Sequence, residues 1–323
     1  MQRNAVRRDP SDPPDPAQPA PPSAVAPRVT PVAALLLIAI NMIWGASSFA
    51  GKRAMDGGFP PMMLAFARFT LSAVLMYGVA GVCKVDLRVA RRDWGRFWAM
   101  GVLGLALTYL LYYAGLKHTT VANASLLMAT EPVYLAILSW ILLREPMPLT
   151  KALGIAAGLA GVLLIVSHGD SLLHWSGGEL GGLTIALALT FEALSSIVGK
   201  KLVSRYPPMA VITYQMAAGA IALTPFALWE LFTSAKPIVL TTGALWSFAY
   251  LVIPCTVLAY TIWFTLIKRI QVSEISVFLF AQPLFGALIG AVVLHDAITP
   301  QAILGATLVV LAIGLIQRRR PGA

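Results

Sequence analysis

Charge is what this sequence has least of. Asp, Glu, Lys and Arg make up 12% of 323 residues, where a soluble domain carries about a quarter. Hydrophobic residues fill 58% and the mean hydropathy is +0.77. Those values exclude an ordinary soluble domain and make the lipid bilayer the implied surroundings. Cysteine is nearly missing too. Cys83 and Cys255 are far apart and in no CxxC or metal-ligand spacing, so no disulfide framework is expected. The four histidines, His118, His168, His174 and His295, fall at span ends or in loops, and no metal site is expected at depth. HExxH, the P-loop GxxxxGK[ST] and GxSxG are all lacking; "GASSF" at 45–49 fails at its last position. No stretch of soluble character is long enough for a nucleotide domain. An intramembrane hydrolase would need a nucleophile–base pair at depth, and no histidine or lysine is available there. A passive channel would show rings of like charge or a polar filter, and neither is visible. No enzyme activity and no cofactor are therefore expected. The net charge of +10 comes from residues in short gaps between apolar runs, with no continuous patch to hold nucleic acid.

What is present is a set of apolar runs. Ten lie near 32–51, 59–82, 95–115, 121–143, 149–167, 179–199, 208–230, 243–266, 272–294 and 298–317. Each is close to the ~20 residues that cross ~30 Å of hydrocarbon as a helix. The expected fold class is an all-α polytopic membrane protein with ten transmembrane helices. Residues 1–30, with "DPSDPPDPAQPAPPSAVAP", read as a disordered proline-rich tail, neither a signal nor a transit peptide. If the N-terminus is cytoplasmic, 19 basic residues fall in inside segments and 4 outside, with Arg68 inside a span. The positive-inside rule then places both termini in the cytoplasm, which suits a bacterial inner membrane.

The chain repeats itself. A shift of 151 residues lays 101–165 on 252–316 without a gap, with 12 of 65 positions identical. Tyr109 meets Tyr260, Ser125 meets Ser276, Pro132 meets Pro283, Glu145 meets Asp296 and Gly154 meets Gly305. With small shifts, "SSFAGKR" at 47–53 pairs with "SSIVGKK" at 195–201, and "FPPMM" at 59–63 with "YPPMA" at 206–210. Five spans per copy is an odd number, so the second copy enters the membrane from the opposite face. That is the inverted-repeat plan of many secondary transporters, with sites near the midplane.

"IWGASSFAGKRA", "ARF" and "LLREPMPLTKALGIAAGLAGVLLI", with "LHDAITPQAILGATLVVLAIGLI" as a second copy, resemble the EamA family of the drug/metabolite transporter superfamily. The similarity covers about 32–317, as a first repeat at 31–168 and a second at 176–318. The resemblance implies ten helices, a central cavity lined by spans one to four and six to nine, and export of amino acids or other small metabolites. The second copy departs from the pattern where Glu192 stands in place of Trp44 and Ala297 in place of Pro146.

Polar residues inside the spans are the candidate site. An ionisable group at that depth is costly and marks function by default. Glu131 falls about 16 Å into its span, and its repeat mate is Gln282; both can accept hydrogen bonds from an amine or hydroxyl. Burial could equally leave Glu131 protonated and bonded to a neighbouring helix. Arg68, about 14 Å deep, needs a carboxylate or carbonyl partner, with Glu131 and Glu192 as candidates. It either binds a substrate carboxylate or clamps the helices, and its mate Gln215 carries no charge. Tyr109, Tyr112 and Tyr113 share one helix face, and Tyr260, Trp263 and Phe264 repeat that face. Such stripes often only pack helices, but buried tyrosine hydroxyls need partners that a cavity supplies. Trp44, with Asn41 one turn earlier, adds a polar-tipped aromatic face. Pro132 and Pro283, near the middle of spans four and nine, are expected as hinge or cavity residues rather than plain kinks. Glu145 and Asp296 look like helix N-terminal caps. Gly154, Gly158, Gly161 and Gly305 form small-residue faces for close packing, within one chain or across a homodimer. The expected partners are a small-molecule substrate and the bilayer. A phosphorylated-sugar or nucleotide-sugar carrier is the alternative, but it would need several cations where only Arg68 stands.

Overall fold

Helix starts are written in the same small vocabulary throughout. In a computed structural model, which describes residues 29–116, 118, 127–166, 179–233, 239–289 and 300–317, α1 (Pro31–Asp56) begins with Thr30 as its cap. The Thr30 hydroxyl accepts the Ala33 amide at 3.2 Å, and Pro31 opens the first turn. α1 stops at Gly57–Gly58. Gly58 has φ 112°, and an added Cβ would strike the Val239 carbonyl, so only glycine fits there. α2 (Pro61–Val82) also opens on proline, and its first amides are met from elsewhere: Glu230 accepts from Met62 N at 2.8 Å and Met63 N at 2.9 Å.

A single-turn 3₁₀ helix (Arg91–Asp93) leads into α3 (Trp94–Gly101), which passes through a π turn (Val102–Leu107) into α4 (Thr108–Leu116). Then come α5 (Glu131–Leu143), α6 (Leu149–Val166), α7 (Glu179–Val203) and α8 (Pro208–Thr233), which carries Pro225 internally. α9 (Thr242–Val252) runs through a second π turn (Ile253–Leu258) into α10 (Ala259–Ile267). The short α11 (Val272–Ile275) continues as a 3₁₀ stretch (Ser276–Phe280) into α12 (Ala281–Ile289), and α13 (Pro300–Gln317) follows. Among the described residues there is no strand.

Among the described residues, six helical runs are long and apolar enough to cross a membrane: 31–56, 61–82, 91–115, 180–203, 208–233 and 242–267. Four shorter apolar helices, at 131–143, 149–165, 272–286 and 303–315, accompany them. One of the expected spans is broken and another is loosened. Span four turns at Ala129–Thr130 and restarts at Glu131, and span nine loosens into the 3₁₀ stretch before α12. Pro132 does not kink a continuous helix: it lies in the first turn of a new one, where proline removes no hydrogen bond the helix would have made. Pro283 is the third residue after the 3₁₀ stretch, inside a helical run that is continuous from Val272.

The interfaces follow the small residues. α6 packs most extensively on α13, where Gly161 and Gly305 lie back to back, so these glycines pack within the monomer. α2 lies along α8, α4 along α7, and α1 against both α9 and α12. A Cβ on Gly45 would lie 2.7 Å from the Gln282 carbonyl, which sets how closely α1 and α12 approach. One large core, including Leu37, Ile40, Phe69, Met76, Phe97, Phe264 and Phe278, runs through the centre. Most of the proline-rich tail, along with Asp296 and Ala297, lies outside the described residues.

Candidate functional site

The two π turns sit 151 residues apart, the same shift that aligns the sequence copies. A π turn inserts one residue into a helix, widens it locally and redirects side chains, and such turns recur at functional sites. Here each one faces a polar residue from the middle of a long helix. Arg68 of α2 meets the second turn: its Nε donates to Thr256 Oγ1 at 2.7 Å, and its Nη1 donates to the Tyr109 hydroxyl at 3.1 Å. Gln215 of α8 stands against the first turn, where its Nε2 approaches Ser195 Oγ at 3.4 Å, beside Gly101 and Gly104.

Neither carboxylate is the hydrogen-bonded partner of Arg68. Among the described residues the only ion pairs join Asp93 to Arg96 and Arg205, and the guanidinium rests on a threonine and a tyrosine. Glu131 and Glu192 nevertheless lie within electrostatic reach of one another, Glu192 also feels Arg68, and Tyr260 feels both acids. Glu131 is half-buried and occupies the first residue of α5, next to Thr130, where the helix's unpaired amides favour an acceptor. The restart of the helix explains why an acid and a proline can stand together at this depth: both suit a first turn.

The aromatic groups close around this cluster. Trp44 meets Tyr260 edge-on at 5.6 Å and Trp263 at 5.7 Å, and its Nε1 donates to the Cys255 carbonyl at 2.9 Å. Tyr109 stands edge-on to Phe69 at 5.3 Å and leans on Tyr113 at 6.2 Å, with Tyr112 beyond. Tyr260 stacks on Phe264. Arg68, Tyr109, Tyr113, Glu131, Glu192, Tyr260, Trp44 and Trp263 are thus linked by bonds, ring contacts or charge. Gln282 reaches the same stretch of α1 through its backbone at Gly45. Two of the expected residues stand apart. Gln215 is buried against the first π turn with its Oε1 unpartnered, and Asn41 is sealed, its Nδ2 donating to the Leu37 carbonyl at 2.7 Å and its Oδ1 unpartnered.

Sequence reasoning missed several participants. Thr256 and Cys255 lie in an apolar run, and nothing in composition marks a π turn. Glu145 does cap a helix, but not the one that follows it. Its carboxylate accepts from Val272 N at 2.8 Å, Ser273 N at 2.9 Å and Ser273 Oγ at 2.6 Å, at the start of α11. Lys151 and Lys200, counted only as topological charges, join that same corner.

The EamA-like transporter family model matches the chain twice, over residues 31–167 and 179–318. An uncharacterised transporter of Bacillus subtilis, YyaM, is 30% identical over 86% of this chain and 91% of its own. A probable terminal-alkyne amino-acid exporter of Streptantibioticus cattleyicolor is 25% identical, covering 90% of this chain and 95% of that one. An S-adenosylmethionine/S-adenosylhomocysteine transporter of Chlamydia muridarum is also 25% identical, over 89% and 92%. One solved crystal structure shares the fold with a TM-score of 0.76 at 21% identity, over 90% of this chain and 96% of that one. With matches across both halves and a helix set suited to the bilayer, this chain belongs to the EamA-like transporter family, in the drug/metabolite transporter superfamily, as a multi-pass membrane protein for small molecules.

Proposed function

We propose that this protein exports amino acids or closely related compounds by alternating access, with a midplane site built around Arg68. The observation that carries the reading is a buried guanidinium held by Thr256 and Tyr109, with no carboxylate in ion-pair contact among the described residues, and with Glu131 and Glu192 close enough to act electrostatically. A zwitterion answers that arrangement. Its carboxylate pairs with Arg68 and its ammonium with the acids, while Trp44, Tyr109, Tyr113, Tyr260 and Trp263 take the apolar side chain. Glu131 and Gln282 complete the polar lining, while Gln215 and Asn41, expected there from the sequence, stand outside it. Pro132, where span four breaks, and Pro283, just past the 3₁₀ stretch, serve as hinges.

The architecture belongs to the same reading: ten spans as two inverted five-helix halves, both termini cytoplasmic, in a bacterial inner membrane. The double family match and the two π turns at a common shift support it. The names of two relatives support the substrate class: one is a probable terminal-alkyne amino-acid exporter, and the other is a transporter of S-adenosylmethionine and S-adenosylhomocysteine, which are amino-acid derivatives.

Counterflow in reconstituted vesicles, across labelled amino acids with and without a pH gradient, tests the reading. At least one amino acid should enter saturably, and Arg68→Gln should lower that uptake at least tenfold. Saturable entry of sugar phosphates with none of any amino acid would replace the reading.

A further inference from the structure

Thr256 has no counterpart across the repeat. The 151-residue shift pairs it with Leu105, so the second π turn carries a hydroxyl where the first carries an isobutyl group. Thr256 is 0% exposed, and its Oγ1 donates to the Leu251 carbonyl at 2.8 Å, five residues back in the π register. That bond orients the hydroxyl's lone pairs away from its own helix, where one of them accepts Arg68 Nε at 2.7 Å. The Tyr109 hydroxyl accepts from Nη1 at 3.1 Å. Two acceptors therefore fix the guanidinium plane, and Nη2 has no hydrogen-bond acceptor among the described residues. We propose that Thr256 is a positioning residue that aims the free edge of Arg68 at the carboxylate of the transported compound. The proposal rests on the amino-acid reading above and deepens it. A lysine at 68 could not serve in the same way, because an ammonium has no planar edge to orient.

The test compares wild type, Thr256→Ser and Thr256→Val in proteoliposomes, using the amino acid carried best in counterflow and its α-carboxamide. Serine keeps the bond and should stay within twofold of wild type. Valine keeps the shape and loses the hydroxyl. It should raise KM for the acid at least tenfold with little change in maximal rate, and leave KM for the amide unaltered. Equal losses for acid and amide would show a structural role and overturn the proposal while leaving the transporter reading intact. If wild type carries no amino acid, the reading itself fails and takes this proposal with it.

A different corner of the molecule carries a second inference independently. The turn between α5 and α6 and the turn between α10 and α11 are joined by buried charge. Glu145, 8% exposed, holds the start of α11, and Lys151, 1% exposed, donates to Ser273 Oγ at 2.7 Å and Gln271 Oε1 at 2.9 Å. Lys200 of α7 donates to the carbonyls of Ile267 and Ile270, the latter at 2.7 Å. Arg144 takes the left-handed conformation, φ 56°, at the end of α5, immediately before Glu145. An apolar seal resists parting because water gains nothing there. A seal of charges is tight when formed and is compensated by hydration when opened. The geometry points to this knot as a closed gate on the basic, cytoplasmic side.

With exposed Cys83 replaced by Ser, Glu145→Cys/Ser273→Cys is bridged by a short, reducible bis-methanethiosulfonate. Bridging should abolish counterflow, and reduction should restore it; counterflow unaffected by the bridge would make the knot a fixed strut. In parallel, Lys200→Met should raise several-fold the rate at which a water-soluble maleimide alkylates Ser276→Cys beneath the knot. An unchanged rate overturns the gate even if no substrate has been found.

Discussion

At the scale of single residues, the decisive contacts are made by groups that differ little from their neighbours in composition. Gly45 and Gly51 are both α1 glycines in one apolar run, yet their surroundings are opposite. A Cβ on Gly45 falls 2.7 Å from a backbone carbonyl that cannot yield, while Gly51 has nothing within 4 Å. Gly45→Ala should therefore cost about 1–3 kcal/mol, the usual penalty of overpacking a close contact. Gly51→Ala should be neutral or gain about 0.5–1 kcal/mol from helix propensity. Thermal unfolding in detergent, followed by tryptophan fluorescence, separates the two; equal effects would contradict the α1–α12 crossing. Arg68, Glu131 and Glu192 were legible from sequence because ionisable groups are costly in hydrocarbon wherever they point. Thr256 was not, because a hydroxyl that bonds its own helix carries no such cost.

At the scale of elements, the helix breaks change the meaning of the prolines. A proline inside a helix costs about 3 kcal/mol, and replacing it recovers part of that. Pro132 stands in a first turn, so Pro132→Ala should shift stability by under about 1 kcal/mol. A gain near 3 kcal/mol would mean that the helix runs through. Transport should respond more than stability if the break is a hinge. The α6–α13 pair makes the contrary case. A Cβ on Gly161 would lie 2.6 Å from the Gly305 carbonyl, so Gly161→Val should force the helices apart and lower the unfolding midpoint markedly. Size-exclusion chromatography beside the unfolding measurement would detect it. Spans four and nine read as continuous in the sequence because hydropathy averages over a window and registers neither a turn at Ala129–Thr130 nor a 3₁₀ stretch at Ser276–Phe280.

At the scale of the whole molecule, the question is which way the chain is threaded. Cys83 is exposed and stands at the end of α2, in a connection carrying four of the basic residues. With both termini cytoplasmic, a membrane-impermeant maleimide should label it in inside-out vesicles and leave it unlabelled in right-side-out ones. The reverse pattern would invert the orientation and, with it, the side assigned to the Glu145 knot. Cys255, buried on the second π turn, should stay unreacted in both preparations.

Membrane residence, the family and the repeat were all determined by the sequence alone, because hydropathy, loop charge and the register of prolines and glycines are one-dimensional properties that survive without coordinates. The tertiary structure decided what those residues meet. It placed Arg68 on a threonine and a tyrosine instead of a carboxylate, seated Glu145 on the wrong side of its own turn to cap a distant helix, and paired Gly161 with Gly305 inside one chain. Burial tells a polar group that it must find a partner. Which partner it finds depends on where the helices break and cross, and that is settled only when all of them pack together.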